Sequence, residues 1–174
     1  MTAVPAVAIV GRHNSGKTTF LLSLLPLLVA RGLRVGYLKH AHAGFEIDRP
    51  DKDSYRARRT GVLQTIVTGG GQTAVIDDAG DAALAEVIER YARDDLDLIV
   101  VEGFKHEALP KIEVARDAIS HGELVCADDP SLIGVVADFA TSRSEVAHFG
   151  LHDAPGVADL IWSRVLRRDP AIAR

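Results

Sequence analysis

The feature that most constrains the fold is an eight-residue stretch near the start of the chain, Gly11-Arg12-His13-Asn14-Ser15-Gly16-Lys17-Thr18. It follows the apolar run Val7 to Val10 and leads into a helical pattern from Lys17 to Ala30, so the local order is strand, loop, helix. The stretch matches the GxxxxGK[ST] phosphate loop in the context that gives that motif its meaning. Its glycines let the backbone wind so that successive N–H groups converge on phosphate oxygens, and the helix N-terminus adds partial positive charge. Lys17 is expected to neutralise β and γ phosphates, and Thr18 to offer its hydroxyl to Mg²⁺, which takes hard oxygen ligands and keeps several waters.

Strand and helix signals alternate beyond the loop. Val35 to Lys39 reads as a buried strand, and Leu98 to Val101 as the β-branched-rich run of a central parallel strand covered on both faces. Thr65 to Thr68 and Thr73 to Ile76 flank the turn-rich Gly69-Gly70-Gly71, and Ile112 to Ala115 and Ile133 to Ala137 are further strands. Helical spacing marks Asp51 to Gly61, Asp81 to Arg93 and a closing helix from Val157 to Arg168. The first helix is apolar almost all round, which predicts burial between the sheet and another layer or subunit. Pro26 should kink it, and Gly32 should end it. The alternation predicts an α/β fold of three layers, a mostly parallel sheet flanked by helices in the P-loop NTPase fold, with residues 1–174 forming a single domain.

A phosphate loop needs a further carboxylate to hold magnesium through water, usually at the end of an apolar strand. Glu102 directly follows Leu98 to Val101, and Gly103 after it would let backbone approach the γ phosphate. Asp48, a loop beyond the second strand, is a candidate to approach the metal or the attacking water; a turn carboxylate is the competing reading. Asp138 ends the run Ile133 to Ala137, where a carboxylate can accept two hydrogen bonds from the edge of guanine. His40 and His42 alternate near a strand end. Two histidines fall short of the three or four protein ligands zinc usually takes, so substrate, phosphate or structural roles are favoured. Asp53 and Arg56 are spaced for an i,i+3 pair, and Arg56 is either a surface residue or a phosphate sensor.

The net charge of -4 lacks the basic excess of a nucleic-acid binder. Arg56, Arg58 and Arg59, and likewise Arg164, Arg167 and Arg168, read as solvated helix faces. The single cysteine, Cys126, excludes an internal disulfide and any multi-cysteine metal site within one chain. The apolar stretch from Phe20 to Ala30 is too short to span a bilayer, so the expected location is cytoplasmic, with no membrane partner.

Four segments, GRHNSGKTT, RGLRVGYLKHAH, FEIDRPDKDSYRARRTG and DLIVVEGFKHEALPKIEV, carry a more specific signal in this order and spacing. They resemble the molybdopterin-guanine dinucleotide biosynthesis adapter proteins, over roughly residues 6 to 138. The resemblance implies a dimerising GTP-binding fold, weak GTPase activity, and a partner, the molybdenum cofactor guanylyltransferase, that attaches GMP to molybdopterin. Molybdopterin itself is a further candidate ligand. Matching positions for phosphate are Gly11 to Thr19, including Asn14, Ser15, Gly16, Lys17 and Thr19. For Mg²⁺ they are Thr18, Asp48 and Glu102, and for the base Asp138. No NKxD guanine signature is present.

The leading expectation is therefore a GTP-binding homodimeric adapter with slow hydrolysis, in which Lys17 offsets developing charge and Asp48 orients water. The alternatives are a small-molecule P-loop kinase, in which Asp51 to Gly61 forms an acceptor site or lid, and a metal-insertion GTPase using His40 and His42.

Overall fold

Apolar runs separated by turn residues become strands wherever a neighbour can cover them. The computed structural model describes residues 4–41, 44–78, 80 and 82–167, so His42, Asp81 and Arg168 lie outside the described residues. In chain order the elements are β1 (Ala6–Val10), α1 (Lys17–Ala30), β2 (Val35–Lys39), α2 (Asp53–Arg58), β3 (Gln64–Gly69), β4 (Gln72–Asp77), α3 (Leu84–Tyr91), β5 (Leu98–Glu102), β6 (Lys111–Ala115), α4 (Asp117–Ser120), β7 (Leu132–Ala137), β8 (Ala147–Phe149) and α5 (Ala154–Leu160). A π-helical turn, Ile161–Val165, continues α5. The chain forms two compact units, residues 1–40 with 91–174, and Ala41–Arg90.

The first unit is built on a six-stranded sheet in the order β2-β5-β1-β6-β7-β8, with every neighbouring pair parallel. Parallel strands need crossovers, and helices flank the sheet, as the alternating pattern predicted; α1 and α5 pack on it within this unit. β5 is buried at every position, as its β-branched run required. β2 has the edge position instead, so it is only partly covered and Tyr37 is 47% exposed, contrary to the expected buried strand. The β3–β4 ribbon belongs to the second unit and stays out of this sheet.

One face of the sheet carries Val7, Ile9, Val100, Ile112 and Val114, which pack with Leu21, Leu24 and Leu28 of α1 and Val157 and Ala158 of α5. Arg31 at the end of α1 is paired with Asp159 of α5 at 2.6 Å. Helix α1 is apolar all round yet buries only one side: Leu22 and Val29 remain 69% and 57% exposed. Pro26 does not interrupt the helix. The ring lies on the exposed side, as does Leu22, whose carbonyl loses its amide partner there, so water can replace the missing bond. Gly32 ends the helix as expected, with φ 81° and its N–H donated to Val29 O.

The opposite face of β6 carries two buried charged residues. Glu113 accepts the N–H groups of Val125 and Cys126 at 2.6 and 2.8 Å, and Lys111 pairs with Asp129 at 2.8 Å. These contacts fasten the segment before β7 to the sheet with polar groups satisfied rather than with apolar packing. Burial pushes the Glu113 carboxyl above the ordinary range, against the pull of the two amides and of Arg12 and Lys17.

In the second unit β3 and β4 form an antiparallel ribbon, Ile66 opposite Val75 and Thr68 opposite Thr73. Arg58 of α2 is paired with Asp78 just past β4, and Arg90 of α3 with Asp77. Helix α3 is shorter than the predicted Asp81 to Arg93. No helix among the described residues is long and apolar enough to cross a membrane.

Candidate functional site

The phosphate loop leaves the end of buried β1 and enters the first turn of α1, so both its ends are fixed by packed elements. Gly11 has φ 141°, and a Cβ there would lie 2.3 Å from the Val114 carbonyl oxygen on β6. Only glycine lets the loop turn away so close to a neighbouring strand. Asn14 and Gly16 are left-handed as well, at φ 61° and 94°, a winding that aims backbone N–H groups inward. Ser15 is fully buried, and its hydroxyl has no hydrogen-bond partner among the described residues. Lys17 arches back over the loop, its Nζ donating to the carbonyls of Gly11 and Arg12 at 3.1 and 2.6 Å. Burial lowers its pKa, with Glu102 pulling the other way. A partly desolvated ammonium above converging amides, with an orphaned hydroxyl beside them, is chemistry suited to a polyphosphate.

Glu102 is delivered from β5, the strand next to β1. Its Oε1 accepts the Thr18 hydroxyl at 2.9 Å and lies 3.4 Å from Lys39 Nζ; its Oε2 accepts the Tyr37 hydroxyl at 2.5 Å. The strand register explains the cluster. Lys39 is the direct partner of Glu102, and Tyr37 lies two residues earlier on the same face. Burial alone would raise the carboxyl pKa, but hydrogen bonds from Tyr37 and Thr18, with the charge of Lys39, hold it below the usual value. The Tyr37 phenol is pushed up by burial and by this carboxylate.

Thr18 and Glu102 thus present two hard oxygen groups in contact at the mouth of the loop. That donor set suits Mg²⁺, which draws its remaining ligands from water and phosphate. Among the described residues no group of three or more His, Cys, Asp or Glu could hold a metal by itself.

Gly103 adopts φ 99° and donates its N–H to Ile9 O at 3.0 Å, which pins the chain after β5 to the strand that bears the loop. His40 stacks on Phe104 with ring centroids 4.5 Å apart, and its backbone N–H bonds Glu102 O. His40 therefore packs against the segment following Glu102; His42 lies outside the described residues.

Asp138 is exposed at the C-terminal end of β7, and its Oδ1 accepts the Asp117 N–H at 2.7 Å. It thereby ties the start of α4 to β7, a structural task the sequence did not reveal. Asp48 belongs to the second unit. Its Oδ1 accepts the Arg49 N–H and the Ser54 hydroxyl at 2.9 and 3.0 Å, and its Oδ2 is buried with no partner among the described residues. The turn role is real, and one oxygen is left over. Arg56 pairs with Asp53 at 3.8 Å on an exposed surface. Thr19 is exposed in the first turn of α1.

Sequence reasoning missed Tyr37, Lys39 and Glu113. Tyr37 and Lys39 alternate along β2, which is a signal, but nothing local says that β2 is the neighbour of β5.

The family model described as "Molybdopterin guanine dinucleotide synthesis protein B" matches residues 6–138. The molybdopterin-guanine dinucleotide biosynthesis adapter protein of Escherichia coli (strain K12) is 37% identical over 163 residues, 92% of this chain and 93% of its own length. A crystal structure of Bacillus subtilis MobB superposes with a TM-score of 0.71 at 28% identity, covering 92% of this chain and 98% of that one. A MobB homologue from Bacillus stearothermophilus gives 0.67 at 25% identity, covering 91% and 99%.

Proposed function

The chain belongs to the molybdopterin guanine dinucleotide synthesis protein B family, and from that premise we propose that it is a GTP-binding adapter that assists attachment of GMP to molybdopterin. The observation that carries the nucleotide part is the 2.9 Å contact between Thr18 of the phosphate loop and Glu102 at the end of β5. It joins the hydroxyl that a magnesium–nucleotide complex needs to the carboxylate that would hold the metal's water.

In this reading the loop amides between Gly11 and Thr19, including those of Asn14, Ser15 and Gly16, bind phosphate oxygens, and Lys17 neutralises the β and γ groups. Thr18 and Glu102 would hold Mg²⁺, which would supply charge neutralisation for those phosphates. Hydrolysis is attack of water in line on the γ phosphorus, with the bond to the β–γ bridging oxygen breaking and GDP leaving. Lys17 offsets the charge that collects on the bridging oxygen. By the family resemblance, Asp48 would serve as a magnesium and water-orienting residue, and Asp138 as the guanine reader through its carboxylate. Glu102 is already engaged by Thr18, Tyr37 and Lys39 rather than free to act as a base, so in this reading turnover by the isolated chain is slow.

The partner is the molybdenum cofactor guanylyltransferase, with molybdopterin as its substrate. We further propose a homodimer, because Leu22 and Val29 on α1 and Ile66 and Val75 on the β3–β4 ribbon are large exposed apolar residues within one chain.

The deciding experiment is calorimetric titration with GTP, GDP and ATP in Mg²⁺, paired with release of labelled γ phosphate. Binding that prefers guanine nucleotides, with label released only slowly and only as inorganic phosphate, supports the reading. Label transferred to a metabolite of a cell extract would overturn it in favour of a kinase.

A further inference from the structure

Strand β1 lies between β5 and β6, so the phosphate loop at its end has two flanks. The β5 flank carries Glu102 and the Thr18 hydroxyl, which in the reading above would hold the metal that serves the β and γ phosphates. The β6 flank carries Arg116, the residue directly after the last position of β6. Its guanidinium lies over Gly16: a Cβ built on that glycine would come within 3.0 Å of Arg116 Nε and 3.2 Å of Nη2. The loop and the arginine are therefore in van der Waals contact, and Gly16 is the residue that permits it.

Arg116 is also chemically unfinished. Its Nε is buried without a hydrogen-bond partner, and the side chain enters no ion pair or hydrogen bond among the described residues. A buried guanidinium N–H with no acceptor is costly wherever it occurs, and that cost is removed when an anion arrives. A cavity of about 40 Å³ lies next to the first turn of α1, and Gly16, Thr19, Arg116 and His152 are among the residues that line it.

We propose that Arg116 binds the α-phosphate of the nucleotide, on the flank of the loop opposite Glu102. The inference rests on the nucleotide-binding reading above and deepens it. With the β and γ groups committed to Lys17, Thr18 and the metal flank, the α-phosphate is next along the ligand and lies toward β6 and β7, the side on which Asp138 stands. A planar guanidinium there offers a charge-assisted contact to a non-bridging α-oxygen, which an ammonium reproduces only as a point charge.

The test is a double-mutant cycle on the full chain, with GDP and the two diastereomers of its α-phosphorothioate as ligands and Arg116→Gln and Arg116→Lys as variants. Arg116→Gln is expected to weaken GTP and GDP equally, by about tenfold, with Arg116→Lys intermediate. One diastereomer should bind the natural chain more weakly than GDP yet bind Arg116→Gln no more weakly, because both changes remove the same contact. Losses that simply add for both diastereomers would overturn the proposal and leave Arg116 as a brace for Gly16. A loss confined to GTP would overturn it by moving the arginine to the γ-phosphate. Melting temperatures without nucleotide separate either result from misfolding, and Arg116→Lys carries the cycle if the glutamine variant does not fold. A natural chain that binds none of these ligands removes the nucleotide reading itself, a failure distinct from additivity.

Discussion

The parallel sheet and the β3–β4 ribbon use their apolar residues in opposite ways. In β5 every residue from Leu98 to Glu102 is buried, whereas in the ribbon Ile66, Val67 and Val75 are 61%, 44% and 45% exposed, although Ile66 and Val75 stand directly opposite each other. Burying apolar surface is worth about 25 cal/mol per Å², and the sheet collects that on both faces. A two-stranded ribbon collects little of it and is marginal by itself. The sheet is thus where substitutions should damage folding, and the ribbon is where they should alter association.

The largest expected effect is in the sheet's core. Leu24→Ala removes a fully buried side chain of α1 and should cost about 2–5 kcal/mol in urea unfolding. Gly11→Ala, which sets a methyl against the Val114 carbonyl, should cost about 1–3 kcal/mol and weaken nucleotide binding. Tyr37→Phe removes a contact that is half open to water, so a loss of about 1 kcal/mol is expected, with a higher Mg²⁺ requirement for nucleotide binding.

Glu113 gives a pH signature. Its carboxyl is raised by burial, so between the ordinary carboxylate value and the raised one the folded chain keeps a proton that the unfolded chain has released. Stability therefore falls as pH rises through that window, and melting curves of Glu113→Gln should lack that part of the slope. The smallest effect belongs to the ribbon: Ile66→Ser should change chain stability by no more than about 0.5 kcal/mol while weakening self-association in sedimentation. A ribbon variant as damaging as Leu24→Ala would break the contrast.

The parts of the site legible in the sequence are those that are contiguous. Gly11 to Thr18 lies between a strand and a helix, and Glu102 directly ends an apolar run, so each is announced by its neighbours. Tyr37, Lys39 and Arg116 became visible only with the strand order β2-β5-β1-β6, because a residue's neighbours across a parallel sheet are set by crossovers rather than by local pattern. The same ignorance of order made Val35 to Lys39 read as buried when β2 occupies an edge. β8, three residues long, and α4, four residues long, were missed because neither is long enough to show a period. The closing helix began earlier than expected, at Ala154, where Asp153 accepts the Gly156 N–H as a cap.

Glu102 pairs with Ile9 on one side and Lys39 on the other, so its place is fixed by the ladders of three strands at once. A slip of one residue in β5 would carry the carboxylate about 3.3 Å along the strand and turn it to the other face of the sheet. There is no intermediate setting between the two. Its alignment with Thr18 behaves as a digital quantity, correct or inverted, and the chain can accumulate changes in the surrounding loops without the carboxylate drifting by degrees.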